Sequence, residues 1–224
     1  NGTDIDDDIS AFISNPMEHA EASKIALFSI ADYAWNMDAY KSDASWRRAV
    51  RYLMPGHAAA LQVFASHNSD LGGNEHDFRR EESEQIRPAL ERLLDAYCRE
   101  GKREVAAASA VTEECERMIA SADLLLASDE NPALIKEISP WLIQFKLLGE
   151  YGREVLCMLA AQCDGKKTEL EKAASHAKAL QVLMKKIDAT YNQNGFQPGV
   201  KTGSCHLKPA FDRLYQEVVQ RTGK

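Results

Sequence analysis

The sequence predicts a mainly helical protein, in which one short strand precedes a five-helix up-and-down bundle. From about residue 82 onward, apolar residues recur at spacings of three and four, the period of a buried helix face. Before that point, only residues 9–14 (ISAFIS) combine apolar and β-branched residues in a short run that follows an acidic loop.

Composition and charge limit the classes of function. The chain has 224 residues, of which 45% are hydrophobic and 27% are charged, enough for one or two globular units with a core. Its formal net charge is -7, and no block of Lys and Arg forms the basic surface that nucleic acids need. Its longest apolar stretches, such as Leu124–Ala127, are far too short to cross a bilayer. The sequence therefore predicts neither a nucleic acid nor a membrane as partner.

The predicted strand runs into Asn15, and a helical pattern follows at once. Asn is a strong N-cap residue, Pro16 suits the first helical position, and Glu18 stands where a capping box places an acid. The pattern favours a helix from Pro16 to about Trp35 with Asn15 as its cap, and leaves a ligand role for Asn15 open. A lone strand cannot satisfy its own edges, so we expect residues 1 to about 40 to be the end of a larger domain.

Two more helices and a polar loop precede the bundle. Residues 44–54 and 56–67 show helical patterns, and residues 67–83 form a polar loop with two adjacent glycines. The loop contains six residues of metal-ligand types, which are His67, Asp70, Asn74, Glu75, His76 and Asp77. Their spacing matches neither a zinc nor a calcium pattern, so we expect a solvated loop without a metal. The run RREE at 79–82 predicts a helix start with a solvated face.

Five apolar stripes define the bundle. Each stripe must be buried against its neighbours, and the stripes are Ile86–Tyr97, Val111–Leu125, Leu142–Leu159, Leu170–Tyr191 and Leu207–Val218. Short connections between most of them predict the up-and-down order. Gly149 and Gly152 predict a close helix contact, and Pro140 should start or kink its helix.

The aromatic and cysteine residues are predicted to pack. Trp35 and Trp46 stand among apolar residues at helical spacing, so core packing is favoured over sugar stacking. The same argument places the stripe aromatics in the core, namely Tyr97, Phe145, Tyr191 and Phe211. Four of the five cysteines lie in apolar helical patterns, which favours buried thiols over a metal site or a disulfide framework. A helical-bundle metalloenzyme would need a Glu-x-x-His pair, and the sequence contains none.

Several segments resemble one enzyme family. The stretch SNPMEHAEASKIALFSIADYAWN (14–36), with SWRRAV (45–50) after it, is similar to the end of the catalytic barrel in glycoside hydrolase family 84. These are bacterial β-N-acetylglucosaminidases related to eukaryotic O-GlcNAcase and often labelled hyaluronidase. The similarity continues through HNSDL, RREES, ISPW and NQN..QPGVKT, covers nearly the whole chain and is closest to enzymes of gut Bacteroides. It implies that the five-helix bundle follows a remnant, the last strand and helices, of a (β/α)8 barrel.

The resemblance also implies domains and a sugar site. Residues 1–79 would be the C-terminal end of the catalytic barrel with the helices that follow, and residues 80–224 a helical bundle domain. In the family, the asparagine of the S/T-N-P-M motif hydrogen-bonds a hydroxyl of bound N-acetylglucosamine, and Asn15 matches that position. An amide suits this role because it both donates and accepts. Phe78, in the loop after the barrel, is the expected contact for the aglycone.

The implied activity is that of a retaining β-N-acetylglucosaminidase, which removes terminal β-linked N-acetylglucosamine by substrate assistance. The family's two adjacent catalytic aspartates lie upstream of the matched segment, so the run Asp6–Asp8 is not that pair. We therefore expect this fragment to be inactive alone and its bundle to be structural. The expected partner is a glycan or glycoprotein that contains N-acetylglucosamine, and no cofactor or metal is implied.

A second interpretation is a free-standing helical protein-interaction module. The strand at 9–14 argues against it, because such a module has no reason to keep an apolar strand that ends in a sugar-ligand asparagine. Without a barrel, the apolar faces of residues 9–35 should either pack back on the bundle or cause self-association. The sequence does not define the compartment, although the resemblance favours a periplasmic or secreted parent enzyme.

Overall fold

The structure, a computed structural model, describes residues 11, 13–14, 19–69, 81–194 and 197–223. This part of the chain forms eight α-helices and one short antiparallel ribbon. The helices are α1 (Ala20–Trp35), α2 (Ser42–Leu53), α3 (Ala58–Ser66), α4 (Arg87–Glu100), α5 (Val105–Leu126), α6 (Pro132–Cys163), α7 (Lys167–Tyr191) and α8 (Leu207–Thr222). The ribbon pairs β1 (Asn192–Asn194) with β2 (Gln197–Pro198). The mainly helical fold class is confirmed.

Helix α6 is the centre of the bundle. It packs along α5 on one side and α7 on the other, and α8 packs on both α6 and α4. The five predicted stripes lie on α4–α8, and the largest fully buried side chains include Tyr97, Phe145, Tyr151 and Phe211. Helices α1–α3 form a shorter layer, in which α3 packs on α5 and α1 on α6.

Two glycines allow α5 and α8 to approach α6 closely, as predicted. A Cβ atom on Gly149 would lie 2.9 Å from the carbonyl oxygen of Cys115, and one on Gly152 would lie 2.5 Å from Phe211 Cε2. Real Cβ atoms do not make contacts this short. Each position therefore needs a residue without a side chain.

Pro140 lies inside α6 and does not start it. The helix begins at Pro132, after Asn131, whose side chain accepts a hydrogen bond from Leu134 N at 3.1 Å. Proline has no N–H to bond the carbonyl of Lys136. The Ser139 hydroxyl donates to that carbonyl at 3.3 Å, which keeps it partnered.

Several N-terminal predictions fall on residues outside the described ranges. Of the predicted strand at 9–14, only Ala11, Ile13 and Ser14 are described, and none of the three is in a strand. Helix α1 begins at Ala20, and Pro16 lies outside the described residues. The predicted domain boundary at 79 lies outside them as well, so the barrel remnant and the two-domain division stay predictions.

Three packing predictions are wrong. Trp35 is 92% exposed and Tyr191 is 43% exposed, because both lie at helix ends beyond the buried stripes. Trp46 is half-buried against the core, as predicted. Among the five cysteines only Cys115 is buried, whereas Cys98 and Cys205 are half-buried and Cys157 and Cys163 are exposed.

Candidate functional site

The two predicted substrate-binding residues, Asn15 and Phe78, lie outside the described residues. The structure does describe the helix that follows Asn15 and the elements that hold it. It also describes a buried polar junction on either side of the loop that contains Phe78. These two regions are the described parts of the chain that lie next to the two predicted substrate-binding residues in sequence.

The start of α1 is held by a carboxylate from α6. The N-cap residue of α1, His19, makes no side-chain capping hydrogen bond. Glu137 of α6 takes this role: its carboxylate oxygens accept from Glu21 N at 2.9 and 3.1 Å and from Ala22 N at 3.1 Å. A negative charge at a helix N-terminus both satisfies free amides and interacts favourably with the helix dipole.

A ring contact adds to this attachment. The imidazole of His19 meets the indole of Trp141 edge to face, with ring centroids 5.0 Å apart. Trp141 lies one turn after Glu137 on α6. Ala22 and Ile25 of α1 pack on the hydrophobic core next to this contact. The beginning of α1 therefore rests on α6 through polar and apolar contacts together.

The outer face of α1 and α2 exposes a few large apolar side chains among charged ones. Tyr52 is 72% exposed, and its ring lies 5.8 Å from that of Phe28. Trp35 lies at the end of α1, where its side chain is 92% exposed. Beside them, the neighbouring Ser45 hydroxyl and the hydrogen-bonded Arg48 guanidinium lower the pKa of Asp32.

The turn directly before α3 also receives a carboxylate from a distant segment. Glu130, just before α6, accepts from Gly56 N at 2.7 Å and lies 3.0 Å from His57 Nδ1. The N-cap residue of α3, His57, makes no side-chain capping bond of its own. The hydrogen bonds from Gly56 and His57 lower the pKa of Glu130.

A buried polar junction joins α3, α5 and the turn before α4. His67 is 2% exposed; its Nδ1 lies 2.7 Å from Ser83 Oγ and its Nε2 lies 2.7 Å from Glu114 Oε1. Arg117 also pairs with Glu114, at 2.8 Å. Burial acts to raise the pKa of Glu114, but the hydrogen bond from His67 and the charges of His67 and Arg117 outweigh burial, so the pKa is lowered.

Glu82 extends this junction to α8. Its carboxylate is fully buried and accepts from the backbone N–H groups of Cys205 (2.7 Å), His206 (3.0 Å) and Leu207 (3.3 Å). The N-cap of α8, His206, makes no side-chain capping bond. Glu82 is therefore the N-terminal cap of a helix more than a hundred residues further along the chain.

The order Ser83–His67–Glu114 resembles that of a serine hydrolase, but the surroundings do not suit catalysis. Ser83 is 2% exposed, so a substrate has no access to its hydroxyl. Glu82 Oε1 lies 3.3 Å from Ser83 Oγ, and its negative charge would oppose an oxyanion there. The junction therefore acts structurally.

The junction corrects two predictions. His67 and Glu82 were expected in a solvated loop and on a solvated helix face, whereas both are buried. The burial of His67 could have been predicted from the sequence, because His67 continues the helical spacing of Ala60 and Phe64, which are buried on α3. Glu82 gave no such signal, because its partners are backbone amides far away in sequence.

The described residues contain no group of three or more His, Cys, Asp or Glu side chains placed to hold a metal ion. A search of the same residues finds no helix long and apolar enough to cross a membrane.

Two family models match the chain in succession. The model of the beta-N-acetylglucosaminidase family matches residues 1–66. The model described as bacterial GH84, post-catalytic domain, matches residues 82–215, which is more than half of the chain. The chain belongs to the bacterial GH84 post-catalytic domain family. The resemblance to glycoside hydrolase family 84 is thus confirmed, and the GH84 bundle is built on helices α4–α8.

Solved GH84 structures share the fold. CpGH84B superposes with a TM-score of 0.78 at 22% identity, and CpGH84D with 0.77 at 27% identity. An O-GlcNAc hydrolase mutant from Thermobaculum terrenum superposes with 0.66 at 20% identity. The matches cover 92%, 92% and 94% of this chain, but only 34%, 34% and 42% of those proteins. The chain therefore spans about a third of the length of the first two solved relatives.

Proposed function

We propose that this chain is the C-terminal portion of a retaining β-N-acetylglucosaminidase of the O-GlcNAcase and hyaluronidase-like type. The observation that supports the proposal most strongly is the succession of the two family matches, residues 1–66 to the catalytic family and 82–215 to the post-catalytic domain. Since α1 and α3 pack on α6 and α5, the two matched segments share one hydrophobic core. The substrate would be a glycan or glycoprotein with terminal β-linked N-acetylglucosamine.

The proposed reaction is substrate-assisted. The N-acetyl oxygen of the sugar attacks the anomeric carbon while one aspartate protonates the departing glycosidic oxygen. Water then opens the cyclic intermediate, and the configuration is retained. This differs from the usual scheme, in which a carboxylate is the nucleophile. Both aspartates would belong to a part of the enzyme upstream of this chain, so the chain alone is proposed to be inactive.

Asn15 is the residue of this chain that we assign to the sugar. It follows the predicted last barrel strand, and the carboxyl ends of barrel strands face the substrate in barrel enzymes. Its amide would donate to and accept from one sugar hydroxyl. Phe78 is assigned, by its place after the barrel, to the aglycone. The bundle α4–α8 is assigned a structural role, and the exposed face of α1 and α2 is the surface that the rest of the barrel would cover.

The test is hydrolysis of para-nitrophenyl N-acetyl-β-D-glucosaminide by the protein that joins this chain to the coding sequence upstream of Asn1. We expect turnover by the joined protein and none by residues 1–224 alone. Asn15→Ala in the joined protein should lower kcat/KM about three- to tenfold, the worth of one hydrogen bond. Phe78→Ala should raise KM for glycopeptides while leaving the small substrate unaffected. Absence of turnover by the joined protein would contradict the assignment.

The interaction-module interpretation is less well supported. The match of residues 1–66 to an enzyme family gives this segment an enzymatic relationship that a free-standing module would lack.

A further inference from the structure

The outer face of α7 carries a concentrated positive charge. From residue 172 to residue 187 the chain contains four lysines and one histidine but no Asp or Glu. The lysines are Lys172, Lys178, Lys185 and Lys186, and all four are exposed. The whole chain, in contrast, has a formal net charge of -7. This face is therefore a basic surface on a protein that is acidic overall.

None of these four lysines pairs with a carboxylate in the described part of the chain. The acids in the first turns of α7 belong to the ion pairs Lys166–Glu169 and Lys167–Glu171, which involve other lysines. On the neighbouring α6, Glu154 lies 3.7 Å from His176. The described structure thus leaves the four ammonium groups without an acidic partner.

Two large apolar side chains lie among these lysines. Val182 is 60% exposed and Leu183 is 48% exposed. They do not belong to the buried face of α7, which turns Leu170, Ala173, Ala177 and Met184 toward the bundle. The outer face therefore combines apolar surface with positive charge, a combination that recurs where a helix binds a partner of opposite charge.

The exposed side chains repeat at the spacing of a helix pair. Lys178 and Lys185 are seven residues apart, and so are Ser175 and Val182. Seven residues form two turns, about 10.5 Å, so the members of each pair point the same way. A second helix laid along α7 repeats its own side chains at this distance. It can therefore place acidic residues against both lysines while its apolar residues meet Val182.

We propose that the outer face of α7 is a docking surface for an acidic amphipathic helix of a partner protein. Glutamates of that helix pair with Lys178 and Lys185, and its apolar side chains cover Val182 and Leu183. The bundle then has a role beyond support of the barrel. The proposal does not depend on the proposed activity.

The charge and shape of this face argue against two other occupants. A second copy of the same face would bring lysines against lysines, and like charges across an interface are costly. A bilayer surface suits a helix that offers a broad apolar face, whereas α7 turns that face to α6 and the rest of the bundle. A single helix on a single helix face is a small interface, so we expect a transient complex.

The first experiment titrates residues 1–224 with a labelled synthetic peptide of about three heptads. The peptide has Ile and Leu at positions a and d and Glu at positions e and g, where like charges oppose its pairing with itself. We expect saturable binding that increases the helicity of the peptide in difference circular dichroism and weakens as salt is raised. A peptide of the same composition in scrambled order should bind at least about tenfold more weakly.

The second experiment repeats the titration with variants of α7. Lys178→Ala with Lys185→Ala should raise the Kd about three- to tenfold, because two exposed ion pairs are lost. The matched control is Lys166→Ala with Lys167→Ala, which removes two lysines of the same helix outside the basic face and should leave the Kd unchanged. Thermal unfolding verifies that each variant is folded.

A third variant tests the apolar part of the surface. Val182→Ser with Leu183→Ser should also raise the Kd several-fold, because the apolar side chains of the peptide lose their contacts. A contact that depends on charge alone would not respond to this change.

The outcomes decide the proposal. Absence of saturable binding by the heptad peptide would overturn it. Equal binding of the scrambled peptide, or an unchanged Kd in the Val182 and Leu183 variant, would show that the face attracts any polyanion and would overturn the docking of a helix. An unchanged Kd in the Lys178 and Lys185 variant, or an equal effect of the control variant, would place the contact elsewhere and overturn the proposal as well.

Discussion

At the scale of single residues, the imidazole of His67 is tightly constrained by its surroundings. It is 2% exposed, and both of its ring nitrogens have partners at 2.7 Å. A buried polar group is stable only when its hydrogen bonds are made, so the loss of one partner costs more than the bond itself contributes. Glu114 and Ser83 thus depend on His67 as much as it depends on them.

This dependence predicts a pH effect on stability. The pKa of Glu114 is lowered in the folded protein, so the folded state binds fewer protons than the unfolded state as the pH falls through the carboxyl range. Ionised Glu114 therefore contributes its full stabilisation at pH values above its usual pKa of 4.5. This contribution is lost as the pH falls through the lower pKa that Glu114 has in the folded protein. Glu114→Gln should lower the free energy of unfolding by about 2 kcal/mol at pH 7.

The measurement is urea unfolding of both proteins from pH 7 down to about pH 3. The gap between their unfolding free energies should narrow below the usual carboxyl pKa. Glu116→Gln is the control, because Glu116 is an exposed carboxylate on the same helix. A gap that is constant over the whole range would contradict a role for the charge of Glu114.

At the scale of helices, local sequence predicts the buried faces well and the distant caps not at all. The buried stripe on α5, for example, can be predicted from spacing alone. Val111, Cys115 and Met118 are apolar residues three and four positions apart, and all three are buried. The role of Glu82 depends on three amides beyond residue 200, and no local pattern contains them. Trp35 shows the opposite case: its spacing is typical of a core residue, but nothing in the described structure covers it.

The cap from Glu82 predicts a matched pair of substitutions. Glu82→Ala leaves three backbone N–H groups of the α8 start without their acceptor, and should lower the free energy of unfolding by about 2–3 kcal/mol. Glu84→Ala, which removes an exposed carboxylate from the same turn, should change it by less than about 0.5 kcal/mol. Equal effects of the two in urea unfolding would show that Glu82 does not stabilise α8.

At the scale of the whole molecule, α1 and α2 have two unlike faces. The inner face of α1 packs on α6 and α2 packs on α1 and α3, while the outer face exposes Phe28 in part, Trp35 and Tyr52. Large exposed apolar side chains that lie close together, as Phe28 and Tyr52 do, favour association. The sequence already predicted that residues 9–35 would either pack back or associate, and within the described residues the structure shows one face of α1 packed on α6.

The outer face predicts that residues 1–224 self-associate in a concentration-dependent way. The double variant Trp35→Ser and Tyr52→Ser should be monomeric by light scattering at the same concentration. The control is Val182→Ser with Leu183→Ser, two exposed apolar residues on α7, which should leave association unchanged. A clean monomer for the unaltered chain at all concentrations would contradict the prediction.

The distant caps also have a consequence for synthesis on the ribosome. Glu137 is made 116 residues after Glu21, whose amide it bonds, and Glu130 is made 74 residues after Gly56. At ribosomal rates, the wait of α1 for its cap is on the order of ten seconds. Helix α8 has no such delay, because Glu82 precedes it. The N-terminal helices of the nascent chain therefore obtain these hydrogen bonds only after later residues have been synthesised. Until then, their apolar surfaces are a target for chaperones.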